Sequence, residues 1–461
     1  MSRMEDEGFY GGAAGGGKSD YLIIEALRQV DKPCYRALIL RKIVKELKQL
    51  TERAYEYYKA AYPNVSYNAT TRTFRFPSGA TIQFDSLFRA ADKLKYQGLQ
   101  YEFIGFDELT QFLYEEYDYL KSRNRANGAG MRVYMRATGN PGGVGHGWVK
   151  QYFVTAGEPN KTVWKKSEVK MPDGTLKTFW TSKVFIPSSV FDNKHLLEND
   201  PEYLKRLATM SEAERNALLY GNWDSFSGQV FTEFINDPKH YIDRRFTHVI
   251  ADFRVPSGWR IIRSLDWGYT KPFSVGWHAV DNDGRYYRIR EYYGCTSEPN
   301  TGVKYDAAKV ARAIKQIEEQ DINLKGRNIM GVADPAIFTE DGSGQSISAI
   351  MQKYGVYFNR GDNARIAGKM QYHYRLAFDE DGIPMFYVFQ SCKDFIRTVP
   401  NLVYSERDVE DIDTDGEDHI YDESRYAIML NAISPRRNVL QDKQLFNPLD
   451  FNKNLMRYVR L

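Results

Sequence analysis

The chain contains few cysteines, and they are widely spaced. Its 461 residues include only three, Cys34, Cys295 and Cys392. This spacing excludes a CxxC redox pair and the disulfide framework that many small secreted domains use in place of a large core. The cysteine content therefore favours a protein of a reducing compartment.

Long apolar runs and a strong charge of one sign are also absent. No stretch approaches the roughly 18 apolar residues of a membrane-spanning helix, and residues 1–10 lack the basic-then-apolar pattern of a signal peptide. We therefore expect a cytosolic protein that is not secreted. The formal net charge of +3 excludes a uniformly basic protein, so any nucleic-acid binding must rely on local basic surfaces. Lys121, Arg123 and Arg125 form one such cluster, for which a solvated helix end is the alternative.

What is present is a globular composition, with 42% hydrophobic and 27% charged residues. Apolar strands alternate with longer helical patterns before residue 186 and again after residue 257, which predicts two α/β domains. The second of these opens with three consecutive strands that form an antiparallel meander. The predicted divisions are an α/β domain at 1–185, a helical lid at 186–225, a linker at 226–257 and a second α/β domain at 258–461.

A phosphate-binding loop is predicted near the start of the chain. Residues 12–19 read Gly-Ala-Ala-Gly-Gly-Gly-Lys-Ser and match the pattern G-x-x-x-x-G-K-[ST]. Glycines allow backbone N–H groups to converge on phosphate oxygens at the start of a helix, and here they are Gly12, Gly15, Gly16 and Gly17. Lys18 is expected to reach the β- and γ-phosphates of ATP, and the Ser19 hydroxyl to bind Mg²⁺.

Two later strand ends complete the predicted nucleotide site. The apolar run Phe103–Phe106 ends in Asp107, expected to hold Mg²⁺, and Glu108, expected to orient or deprotonate the attacking water. A further apolar run precedes Thr138, Gly139 and Asn140. Taken alone, these three residues are equally typical of a turn; their position suggests a strand end that senses the γ-phosphate.

A second set of acids is predicted in the second α/β domain. Asp266 and Asp334 end two strands, and Asp422 lies near the start of a helix, with Asp418 and His419 as further candidates. Three carboxylates from separate elements can gather two Mg²⁺ ions, with Mn²⁺ as an alternative, and such a pair can cleave a phosphodiester. Each acid taken singly is more often a cap, a turn or a solvated strand edge, so the prediction rests on the set.

Taken in order, these motifs resemble those of the large terminase subunits of tailed bacteriophages. The resemblance implies a P-loop ATPase domain with a small helical lid, followed by a ribonuclease H-like nuclease domain. It assigns residues 138–140 the role of a coupling motif between ATP hydrolysis and movement. The implied activity is ATP-driven translocation of double-stranded DNA together with metal-dependent endonuclease cutting of concatemeric viral DNA during packaging into proheads. The implied partners are a small terminase subunit, the portal protein and further copies of the chain in a ring, usually a pentamer, in the host cytoplasm.

The resemblance also implies an arginine that acts on the ATP site of a neighbouring subunit. Arg89 is the candidate, with Lys95 and Arg136 as alternatives and a surface salt bridge as the structural explanation. Only eleven residues precede Gly12, whereas the family carries an adenine-contacting segment ahead of the loop. We therefore make no prediction for the adenine contact.

Two other functions fit parts of this pattern. A non-viral DNA-dependent ATPase and nuclease of repair or restriction would share both sites, but it should carry helicase motifs with paired arginines that are not evident here. A DNA-binding assembly scaffold with an inactive nuclease would not need all three carboxylates.

Overall fold

The computed structural model describes residues 3–434 except 225, 227, 341, 343, 406, 407 and 409. These residues form two sheets, one in each half of the chain, with helices packed against them. The predicted α/β class is confirmed. The end of the predicted second domain, beyond residue 434, lies outside the described residues.

The first sheet has nine strands in the order β3-β4-β5-β2-β6-β7-β1-β9-β8. Its strands are β1 (Glu7–Gly12), β2 (Arg36–Arg41), β3 (Ser66–Asn68), β4 (Thr73–Arg75), β5 (Thr81–Ser86), β6 (Phe103–Phe106), β7 (Tyr134–Gly139), β8 (Val163–Lys170) and β9 (Leu176–Ser188). The six strands from β5 to β9 in this order are parallel. Their carboxyl ends therefore share one edge, where the residues that follow β1, β6 and β7 meet.

The helices of this half cover the sheet with periodic apolar faces. They are α1 (Lys18–Glu25), α2 (Leu47–Ala61), α3 (Tyr114–Lys121), α4 (His146–Val149), α5 (Lys194–Asn199), α6 (Tyr203–Ala208) and α7 (Glu212–Leu218). In α2, Leu47, Leu50, Ala54 and Tyr58 are buried at helical spacing. Helices α5 to α7 lie within the predicted lid segment, where Val190, Leu207 and Leu219 form a small separate core.

The second sheet has seven strands in the order β10-β16-β13-β12-β11-β14-β15. They are β10 (Val249–Ile250), β11 (Arg260–Asp266), β12 (Ser274–Val280), β13 (Tyr286–Tyr293), β14 (Ile329–Ala333), β15 (Asn359–Arg360) and β16 (Phe386–Phe389). Strands β11, β12 and β13 form the predicted antiparallel meander, and β14 pairs in parallel with β11. The carboxyl ends of β11 and β14 therefore lie side by side.

Helices of the second half place further side chains beside that edge. They are α8 (Ala307–Gln320), α9 (Ile347–Gln352), α10 (Arg365–Leu376), α11 (Lys393–Thr398) and α12 (His419–Met429). Helix α12 packs against β11 and β12. None of the helices in the described part of the chain is long and apolar enough to cross a membrane.

The segment predicted as a linker contributes side chains to the second core. Val230, Phe231, Ile250 and Val255 are buried in the same apolar cluster as the seven-stranded sheet, and β10 joins that sheet at its edge. Low periodicity in the sequence hid these contacts because the buried residues are scattered singly along an irregular path. The domain divisions remain predictions.

Charged and polar pairs join the two halves. Lys271 Nζ lies 2.6 Å from Glu115 Oε1. The Tyr114 hydroxyl and the Lys165 ammonium both contact the Glu298 carboxylate. Helix α3 of the first half, which begins shortly after Glu108, thus touches the loop that follows β13.

Candidate functional site

The glycine-rich segment forms a tight loop between β1 and α1. Gly15 and Gly17 have φ values of +72° and +75°, a left-handed conformation that side chains with a Cβ rarely adopt. Gly16 lies between them, and Gly12, the last residue of β1, has a φ of +132°. The loop ends where α1 begins at Lys18. This is the strand–loop–helix context that a phosphate loop requires.

The Lys18 side chain lies folded back over this loop. Its ammonium donates to the Ala13 carbonyl, and the side chain is buried. Burial lowers the pKa of Lys18 to about 8, although the charges of Glu108 and Asp107 oppose the shift. A triphosphate in the loop would replace this carbonyl contact with charged oxygens, and so favour the ammonium form.

Asp107 is the centre of the predicted nucleotide site. It is fully buried directly after β6 and accepts hydrogen bonds from Thr138 Oγ1 at 2.7 Å and Ser19 Oγ at 3.2 Å. Arg41 Nε lies 3.3 Å from its other carboxylate oxygen. The Ser19 hydroxyl and the Asp107 carboxylate are adjacent oxygen donors, the type that Mg²⁺ prefers, so the residues present fit a nucleotide-bound magnesium ion.

Glu108 lies beside Asp107 in a left-handed backbone conformation with a φ of 57°. Its carboxylate accepts hydrogen bonds from Asn140 N and Asn140 Nδ2, both at 3.3 Å. Burial and the adjacent Asp107 charge raise the pKa of Glu108, while Lys18 and Arg41 oppose that shift. Gly139 ends β7 and pairs with Gly11. The segment 138–140 is therefore a strand end that contacts both acids.

The arginine candidates occupy different places from this acid pair. Arg89 is exposed and precedes a short 3₁₀ helix, where its backbone N–H donates to Asp92. Arg136 is buried against Glu25, and Lys95 pairs with Asp85. The assignment of Arg89 to a neighbouring subunit's site remains a prediction.

The arginine nearest the acids, Arg41, was missed from the sequence. The available signal was its place at the end of β2, because β2 pairs in parallel with β6. An arginine there must approach the Asp107 edge. The pairing of those two strands was not evident from local pattern alone.

Two side chains of the predicted basic cluster at residues 121–125 make contacts within the protein. The Lys121 ammonium pairs with the buried Glu7 carboxylate, and the Arg123 guanidinium lies over the Tyr119 ring, 5.3 Å from its centroid. Lys121 thus serves an internal ion pair in this conformation.

The second acidic set gathers at the shared edge of β11 and β14. Asp266 ends β11, and Asp334 follows β14, with its backbone N–H donating to Leu265 O at 3.1 Å. In α12, His419 Nδ1 lies 3.3 Å from Asp266 Oδ2. The structure thus brings together residues that the sequence spreads over more than 150 positions.

Burial and mutual repulsion shift the titration of these acids. Burial raises the pKa of Asp266 to about 6, with His419 opposing the shift and the charges of Asp422 and Asp334 adding to it. Burial raises the pKa of Asp418 to about 8, and Asp422 adds to that effect. Clustered acids of this kind are typical of functional sites.

Asp422 itself is held by two arginines. Arg365 Nη1 lies 2.9 Å from Asp422 Oδ2, and Arg425 Nε lies 3.0 Å from Asp422 Oδ1. Over the described ranges, no three His, Cys, Asp or Glu side chains are placed together so as to hold a metal ion. The carboxylates are the right donor type for Mg²⁺ or Mn²⁺, but their arrangement in this conformation does not fit one.

A buried polar network behind α12 was also missed from the sequence. The Glu423 carboxylate is fully buried and contacts four side chains: Ser264, Ser274, His278 and Arg288, the last at 2.7 Å. Because Glu423 follows His419 by four residues, both side chains face β11. The Ser264–Glu423 and Asp266–His419 contacts therefore fix how α12 sits on the strand. Helical spacing from His419 was the signal available.

The chain was compared with known families and structures. Residues 9–235 match the family model described as terminase large subunit, T4likevirus-type, N-terminal. Among curated proteins, none matches. Similar solved structures include the large terminase of the thermophilic bacteriophage D6E in complex with ATP-gamma-S, which is 17% identical and has a TM-score of 0.36 over 92% of this chain and 93% of that chain.

Two further structures are similar to all or part of the chain. The HK97 bacteriophage large terminase is 10% identical, with a TM-score of 0.43 over 92% of this chain and 91% of that one. The P22 large terminase nuclease domain is 18% identical, with a TM-score of 0.33 over 44% of this chain and 92% of that chain. The family match covers the phosphate loop, both acids after β6 and the strand end at residues 138–140. The match thus identifies residues 9–235 as the N-terminal region of a terminase large subunit.

Proposed function

We propose that this protein is an ATP-driven translocase of double-stranded DNA and a metal-dependent endonuclease that cuts concatemeric viral DNA and packages it into proheads. The observation that carries the motor half is the contact set of the two acids. Asp107 accepts hydrogen bonds from Ser19 of the phosphate loop and from Thr138, while Glu108 accepts one from the Asn140 side chain. One strand end thus touches the groups that would hold the magnesium ion and the attacking water.

This arrangement supports ATP hydrolysis linked to movement. Mg²⁺ delivered with ATP would be held by Ser19 and Asp107, and would neutralise charge on the phosphates. Glu108 has a raised pKa and a fixed orientation, which suits a group that orients or deprotonates water. When the phosphate leaves, the contacts of Thr138 and Asn140 with the acids would change, and β7 would carry that change away from the site. Residues 138–140 would thus act as the coupling motif.

The cutting activity is proposed for the acids at the end of β11 and β14. Asp266, Asp334 and Asp422 are the candidate metal-binding and catalytic residues, with Asp418 and His419 beside them. Their clustering and the raised pKa of Asp266 support this role. The proposed partners are double-stranded DNA, a small terminase subunit, the portal of the prohead and further copies of this chain in a ring. The proposed setting is the host cytoplasm, with transient docking on the prohead.

The two-stranded ribbon of β8 and β9 is a surface suited to DNA. Lys166 and Lys170 lie on the same face as Trp164 and Trp180, as the pairing register shows. These two tryptophans are 60% and 58% exposed. On this face the Lys166 ammonium also pairs with Glu168 Oε1, 2.6 Å away. Lysines on an exposed ribbon can follow phosphates without reading bases, as a translocase must. Replacing both lysines by glutamine should weaken DNA binding and flatten its salt dependence; an unchanged salt slope would exclude the ribbon as a phosphate contact.

Separate disabling of the two sites tests the proposed function. Lys18→Ala should abolish DNA-stimulated ATP hydrolysis, measured with and without proheads, while plasmid cleavage with Mg²⁺ or Mn²⁺ persists. Asp266→Ala should do the reverse. ATP hydrolysis that survives Lys18→Ala would refute the motor assignment. No plasmid cleavage by the wild-type chain with either metal would favour a scaffold with an inactive nuclease, and full activity without any packaging partner would favour a repair or restriction enzyme.

A further inference from the structure

We propose that Arg365 is a removable counter-ion that holds the acidic centre closed and competes with divalent cations for the Asp422 carboxylate. This inference rests on the proposed nuclease function, because it concerns the same acids. The proposal concerns which side chain contacts these acids in this conformation, and not which residues they are. It explains why acids of the right type, brought to one edge of the sheet, are not arranged around a metal position.

The position of Arg365 among the acids supports this proposal. Its Nη1 lies 2.9 Å from Asp422 Oδ2 and 3.2 Å from Asp422 Oδ1, so it contacts both carboxylate oxygens. Its Nε donates to Asp411 Oδ2 at 2.7 Å, and its Nη2 lies 4.0 Å from Asp418 Oδ2. One guanidinium therefore balances the charge of three acids. A carboxylate contacted in this way has no free oxygen to offer a cation from that side.

Arg365 differs from the other arginine on Asp422. The Arg425 side chain is fully buried, and it also donates to the Asp362 carbonyl at 3.3 Å and to Asn363 Oδ1 at 3.1 Å. Arg425 is thus tied to the protein independently of Asp422. It is built into the fold.

The Arg365 side chain is 26% exposed, and its Nη2 is buried without a hydrogen-bond partner. Its remaining contacts are with acids of this same cluster. A guanidinium can donate five hydrogen bonds, and an unused buried donor costs free energy. Arg365 is thus held by the acids of this cluster, whereas Arg425 also has neutral partners in the protein. Since Arg365 is the first residue of α10, its side chain can leave the cluster by rotamer change without disturbing the helix.

Competition follows from charge and space. A cation and a guanidinium cannot occupy the same side of one carboxylate, and their like charges repel. Cation binding at Asp422 therefore requires Arg365 to move away. Removing Arg365 should make cation binding tighter, which is the opposite of what a residue that helps to build the metal site would do.

Calorimetric titration of Mn²⁺ into the full chain, without nucleotide, tests this directly. We expect Arg365→Gln to lower the Kd for Mn²⁺ about tenfold, which corresponds to ~1.4 kcal/mol. The matched control is Arg285→Gln, since Arg285 also pairs with two acids, Asp281 and Asp283, and is 24% exposed. That variant should bind Mn²⁺ like the wild type.

A second variant distinguishes the loss of the counter-ion from a loss of folding. Arg365→Lys keeps the charge but offers only one ammonium, which cannot pair with Asp411 and Asp422 through separate groups. Its Kd should fall between those of wild type and Arg365→Gln, and thermal unfolding should show that both variants remain folded.

The outcomes separate this proposal from the proposed function. Equal or weaker Mn²⁺ binding in Arg365→Gln and Arg365→Lys would overturn the counter-ion role; if Asp266→Asn still reduces that binding, the metal site itself stands. Absence of Mn²⁺ binding in wild type and in every variant would overturn both. Tighter binding in the Arg365 variants that Asp266→Asn abolishes would support both.

Discussion

The two acidic sites of this protein hold their carboxylates in contrasting ways. In the first half, Asp107 and Glu108 accept hydrogen bonds from uncharged donors of Ser19, Thr138 and Asn140, and one arginine, Arg41, lies 3.3 Å from Asp107. In the second half, Asp422 is contacted by the guanidinium groups of Arg365 and Arg425. Neutral donors fix geometry and leave the negative charge available to a cation, whereas arginines cancel it. In this conformation the first site therefore holds Glu108 by neutral donors, whereas the second holds Asp422 by two arginines.

Among the tests of this contrast, Glu108→Gln has the largest expected effect. The substitution keeps the size of the side chain but removes the carboxylate that would orient or deprotonate water. We expect ATP turnover to fall about 10²–10⁴-fold, while binding of a fluorescent ATP analogue changes little. Turnover within threefold of wild type would show that Glu108 has no role in the chemistry.

Stability of the second half should respond strongly to Glu423→Gln. The substitution removes the carboxylate nearest to the buried Arg288 guanidinium and leaves it only the more distant Glu291, 3.4 Å from its Nε. We expect a loss of about 3 kcal/mol in the free energy of unfolding. Denaturant unfolding followed by circular dichroism measures it. Ser274→Ala, which removes one neutral donor from the same carboxylate, is the control and should cost about 1 kcal/mol. Equal losses in the two variants would contradict a charge-based role.

A smaller effect is expected at the neutral donors of the first site. Thr138→Val is close in shape but cannot donate to Asp107, and loss of a hydrogen bond to a charged group should lower ATP turnover about tenfold. Thr138→Ser restores the donor and should recover most of the activity. If valine and serine behave alike in steady-state ATPase assays, the hydroxyl does not orient Asp107.

The smallest expected effect is a pH dependence of stability at His248, in the second half. Burial lowers the pKa of His248 to about 4, and its ring accepts from Ile235 N and lies 2.8 Å from Leu376 O. The unfolded chain binds a proton there near pH 6.5, but the folded chain does not until about 4. Stability is therefore complete above pH 6.5 and falls with decreasing pH, by about 1 kcal/mol per pH unit.

The matching variant is His248→Gln, which keeps a donor and an acceptor but does not titrate in this range. Urea unfolding at pH 7, 6 and 5 should show a weaker pH dependence for this variant than for the wild type. His146 in the first half provides the comparison, because burial lowers the pKa of His146 to about 3. A pH dependence of stability that is the same in His248→Gln and in the wild type would contradict the assignment of a neutral buried His248.

Most of the nucleotide site could be predicted from the sequence because its motifs are local. The phosphate loop is eight consecutive residues, and Asp107 and Asn140 each follow directly after a short apolar strand. A parallel sheet brings such strand ends to one edge whatever the lengths of the connections. Arg41 has the same kind of position, but no motif distinguishes it from the many arginines at strand ends.

The second site was harder to predict because its side chains come from elements with no local pattern in common. The acids Asp266, Asp334 and Asp422 were identified, but not what contacts them. Arg365 lies on α10 and Glu423 on the buried side of α12, and their partners are more than 40 residues away. Which charges balance one another depends on how helices pack on the sheet.

The amino-acid sequence by itself determined which residues follow the parallel strands. Strand periodicity, glycine-rich turns and terminal acids each depend only on residues that are neighbours along the chain. From these came the α/β class, the meander of the second half and the positions of the candidate acids. Only the tertiary structure decided the state of those acids. Whether a carboxylate lies beside a hydroxyl or beside a guanidinium depends on which distant helix packs over it, and this contact sets its charge and its freedom to bind a cation.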